Sequence, residues 1–255
     1  MINPVYSFYQ IADGSLKAER LRTHIEHALM TFNEDCRLIR YGRSLRESFY
    51  NILKYTIILH DFGKVPFNQA AFQTGWNIKK MSFEGHEVLS AWFANEYLDR
   101  AVGDGVVGHR DVPLAVLAIL LHHHPMDEKI RADRLSRNKN ICISEETVET
   151  FYKELEGIIT PASQIPLKSP ICAPDIAYQV FGNYGLFSSY WSSVWMNGSP
   201  TERKVFLLLT QGLIAADYKS ASLTRGEGTS EFAKTIQVYL NYYGSINAGD
   251  ALWST

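Results

Sequence analysis

Apolar residues recur along this chain at the three- and four-residue spacings of helices, and alternating, strand-like runs are scarce. Ser44-Leu45-Arg46-Glu47 reads as a capping box. The apolar series after it, Phe49, Leu53 and Ile57 with Ile52 and Ile58 beside them, predicts a helix to Phe62, where Gly63 supplies a left-handed stop. Ser199-Pro200-Thr201-Glu202 repeats the device with proline at the first helical position and launches a helix through Leu207, Leu208 and Ile214 to Asp217. Asp111 followed by Pro113 opens another helix, ended by Pro125, and Ser82 and Ser144, each with glutamate in the following turn, open two more. An amphipathic segment from about Ser15 to Phe32 begins the series and Phe232 to Tyr243 closes it. The expectation is an all-α helical bundle, one domain over residues 1–255, in which Gly103 to Gly108 could turn a small β-hairpin.

Two stretches depart from the pattern. Residues 160–174 carry Pro161, Pro166, Pro170 and Pro174, which rules out a continuous helix and predicts an ordered surface loop. Residues 184–195 are crowded with Tyr184, Phe187, Tyr190, Trp191 and Trp195, either a helix-packing cluster or a platform on which exposed bases stack.

Composition changes this picture little. A formal charge of −2 gives no global attraction to nucleic acid, so any such binding needs a local basic patch. Cys36, Cys142 and Cys172 are widely spaced and form no C-x-x-C pair, which argues against a disulfide framework or a cysteine zinc site. They read as ordinary residues of a reducing compartment, and a cytoplasmic protein is expected. The start, MINPVYSFYQ, lacks a basic region followed by an apolar run, and the longest apolar stretch, Val112 to Leu121, is too short to span a bilayer.

The chemistry lies in the histidines. His60-Asp61 falls in the last turn of its predicted helix and His122-His123-His124 in the last turn of another, where the helix dipole favours a cation. His24 shares a helix face with Leu21 and Ala28 and therefore points inward, and His86 lies three residues into an apolar helix. With Asp217 far downstream, these residues make a candidate metal site. His27 is a weaker substitute for His24, and His109 reads as a loop residue. His24, His60, Asp61 and Asp217 would complete one ion. Asp61, His86 and two of the three consecutive histidines would complete a second, with Asp61 bridging. Two ions ~3.5–4 Å apart suit displacement at phosphorus. Lys64 would either place a cation beside the phosphate or complement a helix C-terminus, so Asp61 and Lys64 are the candidate catalytic pair. The nitrogen-rich set suits manganese, iron, cobalt or nickel better than magnesium. Lys129, Arg131, Arg134, Arg137 and Lys139 put five cations within eleven residues and form a candidate nucleic-acid track centred on Arg131, Arg134 and Arg137.

The order H…HD-x-G-K…GHE-x-x-SA…HHH…AD-Y resembles the HD nuclease of type I CRISPR interference, a branch of the HD superfamily of metal-dependent phosphohydrolases, over roughly residues 15–225. The resemblance implies an α-helical HD fold with one or two metal ions that cleaves single-stranded DNA. It also implies a helicase partner that draws in the displaced strand from a guide-RNA surveillance complex. The ligands it implies are His24, His60, Asp61, His86, two of His122, His123 and His124, and Asp217. Relatives often have His-His-Gly where this chain has three histidines and Pro125, and no G-x-x-x-x-G-K-[ST] helicase motif is present, so the resemblance is to the stand-alone form. An HD phosphohydrolase of nucleotides or cyclic dinucleotides and a catalytically idle structural subunit are the competing readings.

Overall fold

In the computed structural model, residues 3–244 are described apart from 77, 104, 106, 124–127, 161–164, 166 and 227. The chain opens with strands β1 (Tyr6–Ala12) and β2 (Ser15–Arg20) and continues through α1 (Leu21–Leu29), α2 (Arg37–Leu45), α3 (Phe49–Leu59), α4 (Lys64–Gln73), α5 (His86–Gly103), α6 (Val112–Leu121) and α7 (Glu128–Ser136). Strand β3 (Cys142–Ile143), α8 (Glu145–Glu154), β4 (Ile171–Cys172), α9 (Ala173–Phe181), α10 (Leu186–Trp191), a π-helical turn (Ser192–Met196), α11 (Pro200–Arg225) and α12 (Glu231–Tyr243) complete it. The fold is mostly α with two small two-stranded sheets.

Helix α6 is apolar on every side and buried from Leu114 to Leu121, as befits a helix at the centre of a core. It packs on α3, α5 and α11, and these four carry most of one continuous apolar cluster. The capping box at Ser199 is in place, with the Glu202 amide donating to Ser199 Oγ at 3.1 Å and the Ser199 amide to Glu202 Oε2 at 2.8 Å. Ser144 also caps its helix, with Thr147 rather than a glutamate as the reciprocal partner. The aromatics after residue 184 pack: Phe187, Trp191 and Trp195 stack in sequence, half-buried, against Phe206 of α11, whereas Tyr184 is 95% exposed.

Several sequence expectations are corrected. The hairpin is at the N-terminus and not at residues 103–108, whose described members form no strand. Its turn is Asp13-Gly14, with φ of 51° and 72°, the left-handed pair that a two-residue hairpin turn requires. The first helix consequently starts at Leu21, not near Ser15. Ser44 belongs to the last turn of α2 and donates to the Tyr41 carbonyl at 2.7 Å, so it caps nothing. Gly63 is right-handed at φ −60°. It is glycine because a Cβ there would run into the carbonyl of His86, and its amide donates to Ser90 Oγ at 2.8 Å. Helix α5 begins at His86 and not at Ser82, after Gly85 at φ +86°.

The cysteines are the largest correction. Cys142 and Cys172 are directly opposed in the β3–β4 pair and joined by a disulfide across a sequence separation of 30. Closing a loop of that length removes unfolded-chain entropy on the order of 3–4 kcal/mol. Cys36 is a free, buried thiol. Among the described residues no helix is long and apolar enough to cross a membrane.

Candidate metal centre

Three helix ends deliver histidines to one buried point. His60 is the C-cap of α3, His122 is the C-cap of α6, and His86 is the first residue of α5, a turn earlier in its helix than expected. Each turns Nδ1 onto the carbonyl three residues back: His60 to Ile57 at 2.6 Å, His86 to Phe83 at 2.8 Å and His122 to Ile119 at 2.6 Å. A carbonyl only accepts, so the proton sits on Nδ1 and the Nε2 lone pair points away from the backbone. Those lone pairs have no counterpart. His60 Nε2, His86 Nε2, His122 Nε2, His123 Nε2 and Asp61 Oδ1 are all buried without a hydrogen-bond partner. Buried polar atoms are rarely left so, and convergent imidazole nitrogens with fixed tautomers are what a divalent cation satisfies.

The donors fall into two groups. Ligand atoms of His24, His60 and Asp217 lie within 4.8 Å of one another, as do those of His86, His122 and His123, and a third set, His60, Asp61 and His122, joins them. Asp61 faces both: its Oδ1 is 3.1 Å from His86 Nε2, and its Oδ2 is 3.4 Å from His24 Nε2. His24 is held differently from the other histidines. Its Nδ1 meets Glu19 Oε2 at 3.2 Å and Ser220 Oγ at 2.9 Å, while Nε2 meets Asp217 Oδ1 at 3.0 Å. Sequence reasoning singles out neither Glu19 nor Ser220. The signal that exposes Glu19 is Asp13-Gly14, which makes it the end of a hairpin strand running into the histidine helix.

Charge separates the groups further. Burial alone would push the His24 imidazole down, but hydrogen bonds to Asp217 and Glu19 and the charge of Asp61 raise it to about 9. Burial likewise pushes Asp61 and Asp217 up, yet neighbouring His60, Lys64 and His24 hold Asp61, and His24 and His60 hold Asp217, well below the usual carboxylate range. His122 goes the other way: burial and the adjacent His123, His60 and His86 drive it well below the ordinary histidine value. Burial and His86 lower His123 to about 3.

Of the expected ligands, His24, His60, Asp61, His86, His122, His123 and Asp217 come together, and His124 lies outside the described residues with Pro125. His27 and His109 join none of the donor groups. Lys64 fits neither expectation in full. It starts α4 instead of ending a helix, and its buried ammonium lies 2.7 Å from Asp61 Oδ2. The basic segment is also corrected in part. Arg131 grips buried Glu87 with Nε at 2.6 Å and Nη2 at 2.7 Å, and Arg134 pairs with Glu84 at 2.7 Å. Two of the three proposed phosphate-binding arginines thus have carboxylate partners on and beside α5, whereas Arg137 is exposed.

No protein-family model matches the chain, and comparisons with curated proteins and with solved structures give no match.

Proposed function

We propose that this chain is an HD-type, metal-dependent phosphodiesterase acting on single-stranded DNA. The observation that carries the metal centre is the set of five buried, unpartnered donor atoms from His60, Asp61, His86, His122 and His123 facing one another. His24, His60 and Asp217 would hold one divalent cation and His86, His122 and His123 a second, with one oxygen of Asp61 toward each. Bound there, such cations supply water ionised near neutral pH and positive charge for the oxygens of a phosphodiester. The protein's own part is positional. Carbonyls of Ile57, Phe83 and Ile119 keep the imidazoles turned the right way, and Lys64 balances Asp61 from the wall of the site. Asp217, 23% exposed, and half-buried His123 are its open members, so substrate enters beside them.

The DNA substrate, the helicase subunit and the guide-RNA surveillance complex follow from the sequence resemblance, whereas the cytoplasmic setting rests on unpaired cysteines, and the Cys142–Cys172 disulfide speaks against that ground. Manganese, iron, cobalt or nickel suits this nitrogen-rich set better than magnesium. A nuclease assay with added Mn2+ tests the reading on single-stranded DNA, blunt duplex, mononucleotides and a cyclic dinucleotide. Cleavage of the single strand that is abolished by chelation and by His60→Ala or Asp61→Ala is the expected result. Activity surviving both treatments overturns the metal mechanism, and turnover of the small nucleotides alone transfers the chain to the nucleotide hydrolases.

A further inference from the structure

The least exposed carboxylate outside the donor groups that touches one of their histidines on the His24 side is Glu19, 3% exposed near the end of the N-terminal hairpin. Three elements converge on it. Ser7 of β1 donates to Oε2 at 3.0 Å, Thr224 of α11 donates to Oε1 at 3.0 Å, and His24 of α1 approaches Oε2 at 3.2 Å. The hairpin is built for this contact. Its register shifts between Tyr6 and Phe8, leaving Ser7 as the extra residue of a bulge, 2% exposed and aimed at the Glu19 carboxylate.

A neutral amide could also be satisfied by Ser7 and Thr224, one hydroxyl donating to its oxygen and the other turning to accept from its NH2. Burying a full negative charge is costly unless a positive charge answers it. Among the described residues the one ion-pair partner of Glu19 is the imidazole of His24. Tautomer control alone does not require the charge, because Ser220 Oγ, which donates to the His24 carbonyl at 2.8 Å, can also accept from Nδ1–H at 2.9 Å. What the carboxylate adds is electron density pushed through the ring to Nε2, the atom facing Asp217 and Asp61.

We propose that Glu19 is a positioning residue of the metal centre: its buried charge orients His24 and strengthens Nε2 as a donor to a divalent cation, making the N-terminal hairpin part of the site. This rests on the metal-centre reading but not on the identity of the substrate. The test is calorimetry with Mn2+ on the whole chain, on Glu19→Gln, and on Glu19→Gln in a His86→Ala background that isolates the His24 half. Imidazole 15N–1H spectra of the metal-free proteins and their melting temperatures accompany it.

Glu19→Gln preserves shape and removes the charge, so Mn2+ affinity at the His24 half should fall at least about tenfold. Affinity at the other half should stay within about twofold of wild type, and the His24 Nδ1 proton should move upfield. Unchanged affinity, or equal weakening of both halves alongside a lower melting temperature, reduces Glu19 to hairpin packing and overturns the proposal. A Glu19→Gln chain that does not fold is replaced by Glu19→Asp, whose shortened reach must produce the same selective loss. Failure of the wild-type chain to bind Mn2+ overturns the metal-centre reading itself, a different outcome from a wild-type chain that binds and a variant that does not discriminate.

Discussion

The two donor groups of the candidate metal centre each offer three ligand residues and differ in electrostatic character. Around His24 and His60 the structure gathers Asp217 directly and Glu19 one bond further out, and the His24 imidazole is raised to about 9. Around His86, His122 and His123 the donors are all nitrogen, two of them backed by peptide carbonyls, and His123 is lowered to about 3. One half is a pocket that demands positive charge. The other has no carboxylate among its own three donors and meets carboxylates at Asp61 and at Glu87, which Arg131 already holds. The carboxylates that hold a proton on His24 would attract a divalent cation in its place more strongly than neutral nitrogens do, so the carboxylate-rich half should bind first and more tightly, and the nitrogen half second. Asp61 lies between the two groups and would make them one centre.

The comparison breaks most completely at Asp61. Asp61→Asn removes the charge common to both halves and strands the buried Lys64 ammonium, so bound Mn2+, measured by elemental analysis after gel filtration, should fall from two ions per chain to none and activity should fall below detection. Retention of one tightly held ion would show that the halves are independent. Next in size, His86→Ala should leave one ion per chain, the tight one, whereas Asp217→Asn should leave at most the weak one. Identical Mn2+ isotherms for these two variants would erase the distinction between the halves.

Arg131→Ala should come third, through stability. Glu87 is 1% exposed and adjoins His86, and stranding a buried charge of this kind costs about 3–5 kcal/mol. Chemical denaturation should show that loss, with Mn2+ affinity falling more at the nitrogen half than at the other. Smallest is Arg134→Ala, whose pair with Glu84 is 61% and 39% exposed and contributes only about 0–1 kcal/mol. If the segment nevertheless tracks DNA, changing Arg131, Arg134 and Arg137 together must flatten the salt dependence of single-strand binding, the slope dropping by roughly 0.7 for each phosphate no longer neutralised. An unchanged slope assigns the segment to structure.

What was legible in the sequence was local. His60-Asp61 and His122 close apolar helices, and a helix end both displays a side chain and fixes its direction, so the convergence of these candidate donors could be read from periodicity and adjacency. His24 faced inward because it shares a helix face with Leu21 and Ala28. The features that escaped depend on pairing across distance. Ser15 to Phe32 carries enough helical spacing to hide the strand at its start, and only the Asp13-Gly14 turn betrays the hairpin that delivers Glu19. Cys142 and Cys172 become partners because two-residue strands meet across thirty positions, and nothing in either neighbourhood announces it. The basic run around Arg131 reads as a cationic track because the carboxylate that holds Arg131, Glu87, is 44 residues away in sequence.

The most direct test of the account is a crystal structure grown with Mn2+ and recorded at the manganese absorption edge. Two anomalous peaks should appear, one in reach of His24, His60 and Asp217 and one in reach of His86, His122 and His123, each touching a different oxygen of Asp61. Peaks elsewhere on the chain, or none within reach of Asp61, would contradict it.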